Sequence, residues 1–191
     1  MSQQVGMHTI TVGDTLLPLN AVLKDGNGDP YNLASYTVKF LMEQEDGTAE
    51  LAETATGVTA HPTQNFTVDT TLDTLKTVGH GVQEGDQLIL TTAGTLPTGL
   101  AASTRYFTRD VTPNDFKVAA SPDGEKIDIT AAGSGTHSFY VVGSVQMDFA
   151  AANVDTAGLY RGWFTLTSGT ETLSIPEGNR YFRIKIVTRG N

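Results

Sequence analysis

The sequence predicts an all-β protein, and three observations carry that expectation. Threonine, whose branched Cβ suits a half-buried pleated surface, occurs 29 times in 191 residues. Apolar and polar residues alternate in short runs, as in Thr37-Val38-Lys39-Phe40-Leu41-Met42 and Tyr181-Phe182-Arg183-Ile184-Lys185-Ile186. Gly, Pro, Asn and Asp bound those runs, and these residues suit the turns between strands.

Taken in order, the runs place strands at 7–12, 15–24, 36–43, 50–55, 86–92, 105–112, 115–120, 126–130, 136–149, 158–167, 171–175 and 181–188. The turns between them have recognisable chemistry: Asp25-Gly26-Asn27-Gly28-Asp29-Pro30, Glu45-Asp46-Gly47, Ser121-Pro122-Asp123-Gly124 and Ser168-Gly169. The one helical candidate, 151–157, is too short to stand without tertiary contacts and is expected to make at most one turn.

Composition narrows the function classes. Hydrophobic residues make up 39% and charged residues 17% of the chain, so burial can offset the entropy of ordering it. Twelve Lys and Arg against 21 Asp and Glu give a net charge of −9, which argues against nucleic acid as a partner, because phosphate affinity needs positive charge. Cysteine is absent, which removes disulfides and thiolate metal sites. The opening MSQQVGMHTITVGD has neither a cationic nor an apolar leader region, and no run approaches the ~20 apolar residues of a membrane span. The expectation is a chain made in a cytosol, with no membrane partner.

No motif carries chemistry convincingly. Asp25, Asn27 and Asp29 have the spacing of the first three ligands of a calcium loop, but Pro30 stands where glycine is required and Tyr36 where the bidentate glutamate belongs. A plain turn is the better reading. HGVQEGDQLILTTAGTLPTGL, residues 80–100, is glycine-rich, yet no helix follows to face a phosphate, so it reads as turn, strand, long turn and strand. His80 and His137 lack close ligand spacing and are expected to be loop or structural histidines. Ser134 lies between Gly133 and Gly135 without the framing of a nucleophile elbow. No catalytic, cofactor or metal residue is assigned.

Texture divides the chain. Residues 1–65 and 143–191 share clear alternation, whereas 66–142 is a Thr/Gly/Asp-rich meander with its own turns. The outer segments together have the size of an immunoglobulin-like sandwich, ~100 residues, and the inner segment suits a small β-barrel or sandwich. The expected architecture is therefore an immunoglobulin-like β-sandwich with a small barrel or sandwich domain inserted in one loop.

A resemblance agrees with this division. Asp14, Thr15, Leu17, the turn before Asn32-Leu33, the strand Val38 to Met42, Asp155-Thr156-Ala157-Gly158 before Tyr160, and Pro176-Glu177-Gly178 make the outer segments similar to the N-terminal immunoglobulin-like domain of phage upper baseplate proteins. The inner segment resembles a recurrent β-module of phage fibre and structural proteins. The residues that carry this second likeness are His80-Gly81, Gly85-Asp86, Gly94, Leu96-Pro97, Gly99-Leu100, Tyr106 and Gly133-Ser134-Gly135-Thr136-His137.

Within the outer part, Gly158 two residues before Tyr160 fits a tyrosine corner, a structural role. Strand phase then puts Tyr160, Gly162, Phe164 and Leu166 on one face and Arg161, Trp163 and Thr165 on the other. Trp163, Arg161, Arg180, Arg183 and Lys185 are the candidate interface residues: a tryptophan anchor with positive charge suited to an acidic neighbour. The leading expectation is a non-enzymatic virion protein of a tailed phage, an accessory of tail, baseplate or head surface. It would assemble with other virion proteins as a symmetric homo-oligomer or ring-associated copy. The alternatives are a capsid decoration protein, a host-surface glycan-binding adhesin using Tyr106, Phe107, Phe139 and Tyr140, and, last, a polysaccharide-degrading enzyme.

Overall fold

The computed structural model describes residues 7–178 and 180–189. Fifteen strands are present among them: β1 (His8–Thr11), β2 (Leu19–Val22), β3 (Thr37–Gln44), β4 (Ala49–Thr54), β5 (Val58–Ala60), β6 (Gln64–Asp69), β7 (Thr74–Lys76), β8 (Gln87–Thr92), β9 (Arg105–Arg109), β10 (Asp115–Ala119), β11 (His137–Val141), β12 (Ser144–Met147), β13 (Gly158–Ser168), β14 (Glu171–Ile175) and β15 (Phe182–Val187). The chain is all-β. The 151–157 segment contributes a single 3-10 turn, Ala151–Asn153, and a second such turn spans Leu33–Ser35. Contacts group the chain into two compact units, Met1–Ala60 with Gly143–Asn191, and His61–Val142.

The outer unit is a two-sheet sandwich. One sheet runs β1-β15-β13-β3-β4, with β14 also on β13, and the other runs β2-β12-β5. Alternation in β3 and β13 sends Val38, Phe40, Met42, Tyr160, Phe164 and Leu166 into a core that Leu19, Val145 and Met147 enter from the smaller sheet. Phe40 meets Phe164 with ring centroids 4.9 Å apart and Phe149 edge-on at 5.9 Å. In sheet order β2, β12 and β5 correspond to the B, E and D places of an immunoglobulin-like sandwich, and β3, β13 and β15 to C, F and G. The segment 61–142 thus leaves and rejoins the outer unit between β5 and β12, which pair with each other.

The His61–Val142 unit is a closed six-stranded barrel, in the order β10-β7-β6-β11-β8-β9. Closure leaves no open edge. Phe66, Leu75, Leu88, Leu90, Tyr106, Phe116, Val118, Ile129 and Phe139 fill it, and Phe116 and Phe139 meet edge-on at 5.3 Å. Gln64 and Asn65, expected at the junction, lie in the first strand of this barrel.

Several expected elements differ, each for a physical reason. The 15–24 strand is only β2, because Asp14 caps a turn by accepting from the Leu16 amide and Pro18 has no N–H for a ladder. The 105–112 strand ends at Arg109, before Asp110 turns to φ +50°. The 126–130 strand is replaced by one bridge, Lys126 to Ala119, since the Ile129 amide donates to the Asp73 carboxylate. The 136–149 run is two strands, β11 and β12, broken at Gly143 with φ +77°. Strands β5 and β7 are too short to show alternation, and β6, in which Phe66 and Val68 alternate with Asn65, Thr67 and Asp69, lies outside the expected runs.

Candidate functional site

The outward face of β13 carries the candidate interface residues. Register pairs Arg161 with Glu43 and Trp163 with Leu41 on β3, and Arg161 with Arg183 on β15. Trp163 is half-buried. Its indole N–H donates to the Arg180 carbonyl at 2.8 Å, and its ring meets Tyr181 edge-on at 6.0 Å. The connection from β14 to β15 therefore folds over the tryptophan and fixes its orientation. The Arg161 guanidinium lies 5.8 Å from the centre of the Tyr181 ring, 3.2 Å from the Glu43 carboxylate and 3.4 Å from the Glu45 carbonyl. Tyr181 is not among the candidate interface residues, although it opens the alternating run that the sequence shows; the observed strand β15 starts one residue later, at Phe182.

The remaining cations are less constrained. The Arg180 Nε donates to the Glu177 carbonyl at 3.3 Å, which closes the same connection. Arg183 reaches the Glu45 carboxylate at only 4.0 Å, with just over half of its side chain exposed. Lys185 is exposed on β15, opposite Leu159, a leucine 38% exposed. Such surface ion pairs contribute little to folding, so this face is held mainly by packing around Trp163 and Tyr181.

One flank of the face is buried and polar. Thr165, 3% exposed, donates its hydroxyl to the Glu53 carboxylate at 2.6 Å. That bond, together with Lys39, holds the Glu53 carboxyl below its ordinary range. On the core side, Tyr160 is 1% exposed and its hydroxyl donates to the Thr156 carbonyl at 2.7 Å. Gly158 leaves room beside this ring, where a Cβ would lie 2.8 Å from Gln44 Nε2 and 3.2 Å from the ring itself.

In the barrel the chemistry-bearing residues serve structure. His80 is buried, its Nδ1 accepts from the Val82 amide at 3.1 Å, and its ring lies edge-on to Phe116. His137 has Thr92 Oγ1 at 2.9 Å from Nδ1 and the Ala132 carbonyl at 3.0 Å from Nε2. Tyr106 and Phe139 point into the core, Phe107 is half-buried and Tyr140 stacks on His61 at 4.5 Å, so these four aromatics do not assemble an exposed sugar platform. Strand phase decides this, because alternate residues of β9 and β11 face inward.

The glycines in and around the 80–100 segment, and those of the 133–135 loop that meets it, have two separate explanations. Gly79, Gly81 and Gly85 adopt positive φ in turns. Gly94, Gly133 and Gly135 permit two loops to meet backbone to backbone: the Thr95 amide donates to the Ser134 carbonyl at 3.0 Å and the Ser134 amide returns a bond to Thr95 at 2.8 Å. A Cβ on Gly94 would lie 2.3 Å from the Ser134 carbonyl oxygen, and one on Gly133 would lie 2.2 Å from that of Thr95. The loops form a clasp, and Ser134 is part of it.

The Asp25 turn uses its carboxylate internally. Oδ1 accepts from the Asn27 and Asp29 amides, each at 2.9 Å, and the bond from Asp29 does most to lower the Asp25 pKa. Among the described residues no group of three His, Asp or Glu side chains is arranged to hold a metal ion, and no helix is long and apolar enough to cross a membrane. No protein-family model, curated protein or solved structure matches this chain.

Proposed function

We propose that the chain is a non-enzymatic structural protein of a tailed-phage virion, docking through the outward face of β13 and displaying the barrel. One observation carries the docking part of this reading: Trp163, Tyr181 and Arg161 are orientated by neighbours yet remain partly exposed on a sheet face. A held aromatic with an adjacent arginine is the composition of an interface hot spot, because little rotamer entropy is left to lose on binding. The cations Arg183 and Lys185 beside it suit an acidic neighbour. The phage assignment rests on the resemblance of both segments to phage structural modules. Repetition by symmetry would then make weak single contacts effectively permanent.

The test is location. Labelled antibody against the chain, imaged on purified virions, is expected to decorate one fixed position on the tail, baseplate or head. Particles that carry none of the chain overturn the reading. In the same particles Trp163→Ala is expected to reduce incorporation, at a cost of about 2 kcal/mol or more to docking. A variant that incorporates normally removes Trp163 from the interface.

A further inference from the structure

Asn27-Gly28 is the one Asn-Gly step in the chain. It forms the tip of the hairpin closed by the Lys24–Pro30 bridge, where the Gly28 amide donates to the Asp25 carbonyl at 3.0 Å and the Asp25 amide to the Asp29 carbonyl at 2.9 Å. Residues 26 to 29 are all exposed. Gly28 has φ +94°, and a Cβ added there would meet nothing within 4 Å. The Asn27-Gly28 peptide thus lies in solvent, with no neighbour packed around the glycine.

Glycine after asparagine opens that step to ring closure, because it has no Cβ to shield its amide nitrogen from the asparagine Cγ and lets the backbone rotate the two into line. Asn20, Asn32, Asn65, Asn114 and Asn153 precede Ala, Leu, Phe, Asp and Val, whose side chains obstruct the same approach. Asp25-Gly26, Asp46-Gly47 and Asp123-Gly124 also place glycine second. An ionised carboxyl, however, resists a nucleophile where a neutral amide does not, and bonds from the Asp29 and Thr48 amides hold Asp25 and Asp46 below the ordinary carboxyl range. The chemistry is therefore directed to position 27.

We infer that Asn27 is a self-modification site, converted in the folded protein to aspartate and isoaspartate with water as the only co-reactant. Hydroxide takes the Gly28 amide proton and the nitrogen attacks the Asn27 Cγ. The N–Cγ bond forms, the Cγ–Nδ2 bond breaks, and ammonia leaves with a proton drawn from water. Water then opens the cyclic imide: addition at Cγ gives aspartate, and addition at the main-chain carbonyl gives isoaspartate, with no oxidation or reduction in either step. The attack must first release the Gly28 amide from the Asp25 carbonyl, a single hydrogen bond at an exposed tip. Isoaspartate lengthens the main chain between residues 27 and 28, inside the span that Asp25 Oδ1 ties together by accepting from the Asn27 and Asp29 amides. Each conversion also adds a negative charge beside Asp25 and Asp29, in a chain already at −9. The inference stands whether or not the Trp163 face docks to a virion.

The test is incubation of the full folded chain in mildly alkaline buffer at physiological temperature, followed by trypsin and mass spectrometry with electron-transfer fragmentation. Cleavage after Lys24 and Lys39 isolates residues 25–39, which hold Asn32 as an internal control. The expected result is two acid forms of this peptide, aspartate and isoaspartate, both at position 27, with Asn32 still an amide. Conversion should quicken as the pH rises, and Asn27→Gln, which must close a larger ring, should suppress it. With one hydrogen bond to release, the folded chain is expected to convert about tenfold more slowly than the guanidinium-unfolded chain, or less. A folded chain that keeps Asn27 intact while the unfolded chain converts fully overturns the inference, because the turn then protects the step. Aspartate without isoaspartate, or conversion that persists in Asn27→Gln at another position of the peptide, overturns it as well.

Discussion

Replacing Gly133 by alanine is expected to destabilise the barrel and spare the sandwich. Gly133 has φ +74°, and a Cβ there would lie 2.2 Å from the Thr95 carbonyl oxygen and 2.7 Å from the Leu96 carbonyl carbon. Holding alanine in the left-handed region costs about 1–2 kcal/mol. The clash is with backbone, so the loops must part by roughly an ångström, which breaks the paired Thr95–Ser134 hydrogen bonds at ~1 kcal/mol each. The total is about 3–4 kcal/mol, and at ~4–8 °C per kcal/mol the barrel should lose at least ~12 °C in Tm. Gly79→Ala is the control. It has φ +65° and nothing within 4 Å of the added Cβ, so it should cost only the dihedral part. Trp163 is the single tryptophan and belongs to the outer unit, so its fluorescence follows the sandwich while far-ultraviolet circular dichroism follows both units. The expected result is an early transition in dichroism with an unchanged tryptophan midpoint. Equal shifts for Gly133→Ala and Gly79→Ala would refute the clasp.

Tyr160→Phe should lose about 1 kcal/mol, from the hydroxyl that reaches the Thr156 carbonyl, and Tyr160→Ala ~3–5 kcal/mol through the cavity, both read from Trp163 fluorescence in denaturant. Equal and negligible losses would remove the corner role. Replacing 61–142 with a short Gly/Ser turn should leave the outer unit folded, because Ala60 lies opposite Val145 in one ladder and the ends are already a hairpin turn apart. Cooperative melting and dispersed amide resonances check this, and a chain unfolded at every temperature would show that the units depend on each other. Burial lowers the His61 pKa, so the folded barrel resists protonation that the unfolded chain accepts. Barrel stability is therefore expected to be full above about pH 6.5 and to fall as the pH drops below it. His61→Asn, which tolerates the φ of +52° at this position, should flatten that dependence in dichroism melts.

The strands that were legible are those whose evidence is local. In β3, β13 and β15 the alternation can be counted along the chain, and each strand buries one face, so period two survives in the sequence. The three-residue β7 is too short to show a pattern and is made a strand by closure of the barrel, whereas β6 has its own alternation at Phe66 and Val68 and was legible in principle. The same division runs through the candidate site. Gly158 two residues before Tyr160 can be read from the chain, but the hydroxyl bond to Thr156 is a matter of geometry. The outward phase of Trp163 follows from its odd spacing to Phe164, whereas its cover by Arg180 and Tyr181 depends on a connection seventeen residues further on that folds back across the sheet. Glycines at 94, 133 and 135 read as turn residues in sequence, and only the meeting of two loops distant in the chain makes them a clasp. By itself the sequence determined the all-β class and the phase of its longer strands, since side-chain alternation and turn propensity are properties of neighbouring residues. Tertiary structure alone decided which faces are covered, which edges stay open and where backbones touch, since those depend on groups that approach only once the chain has folded.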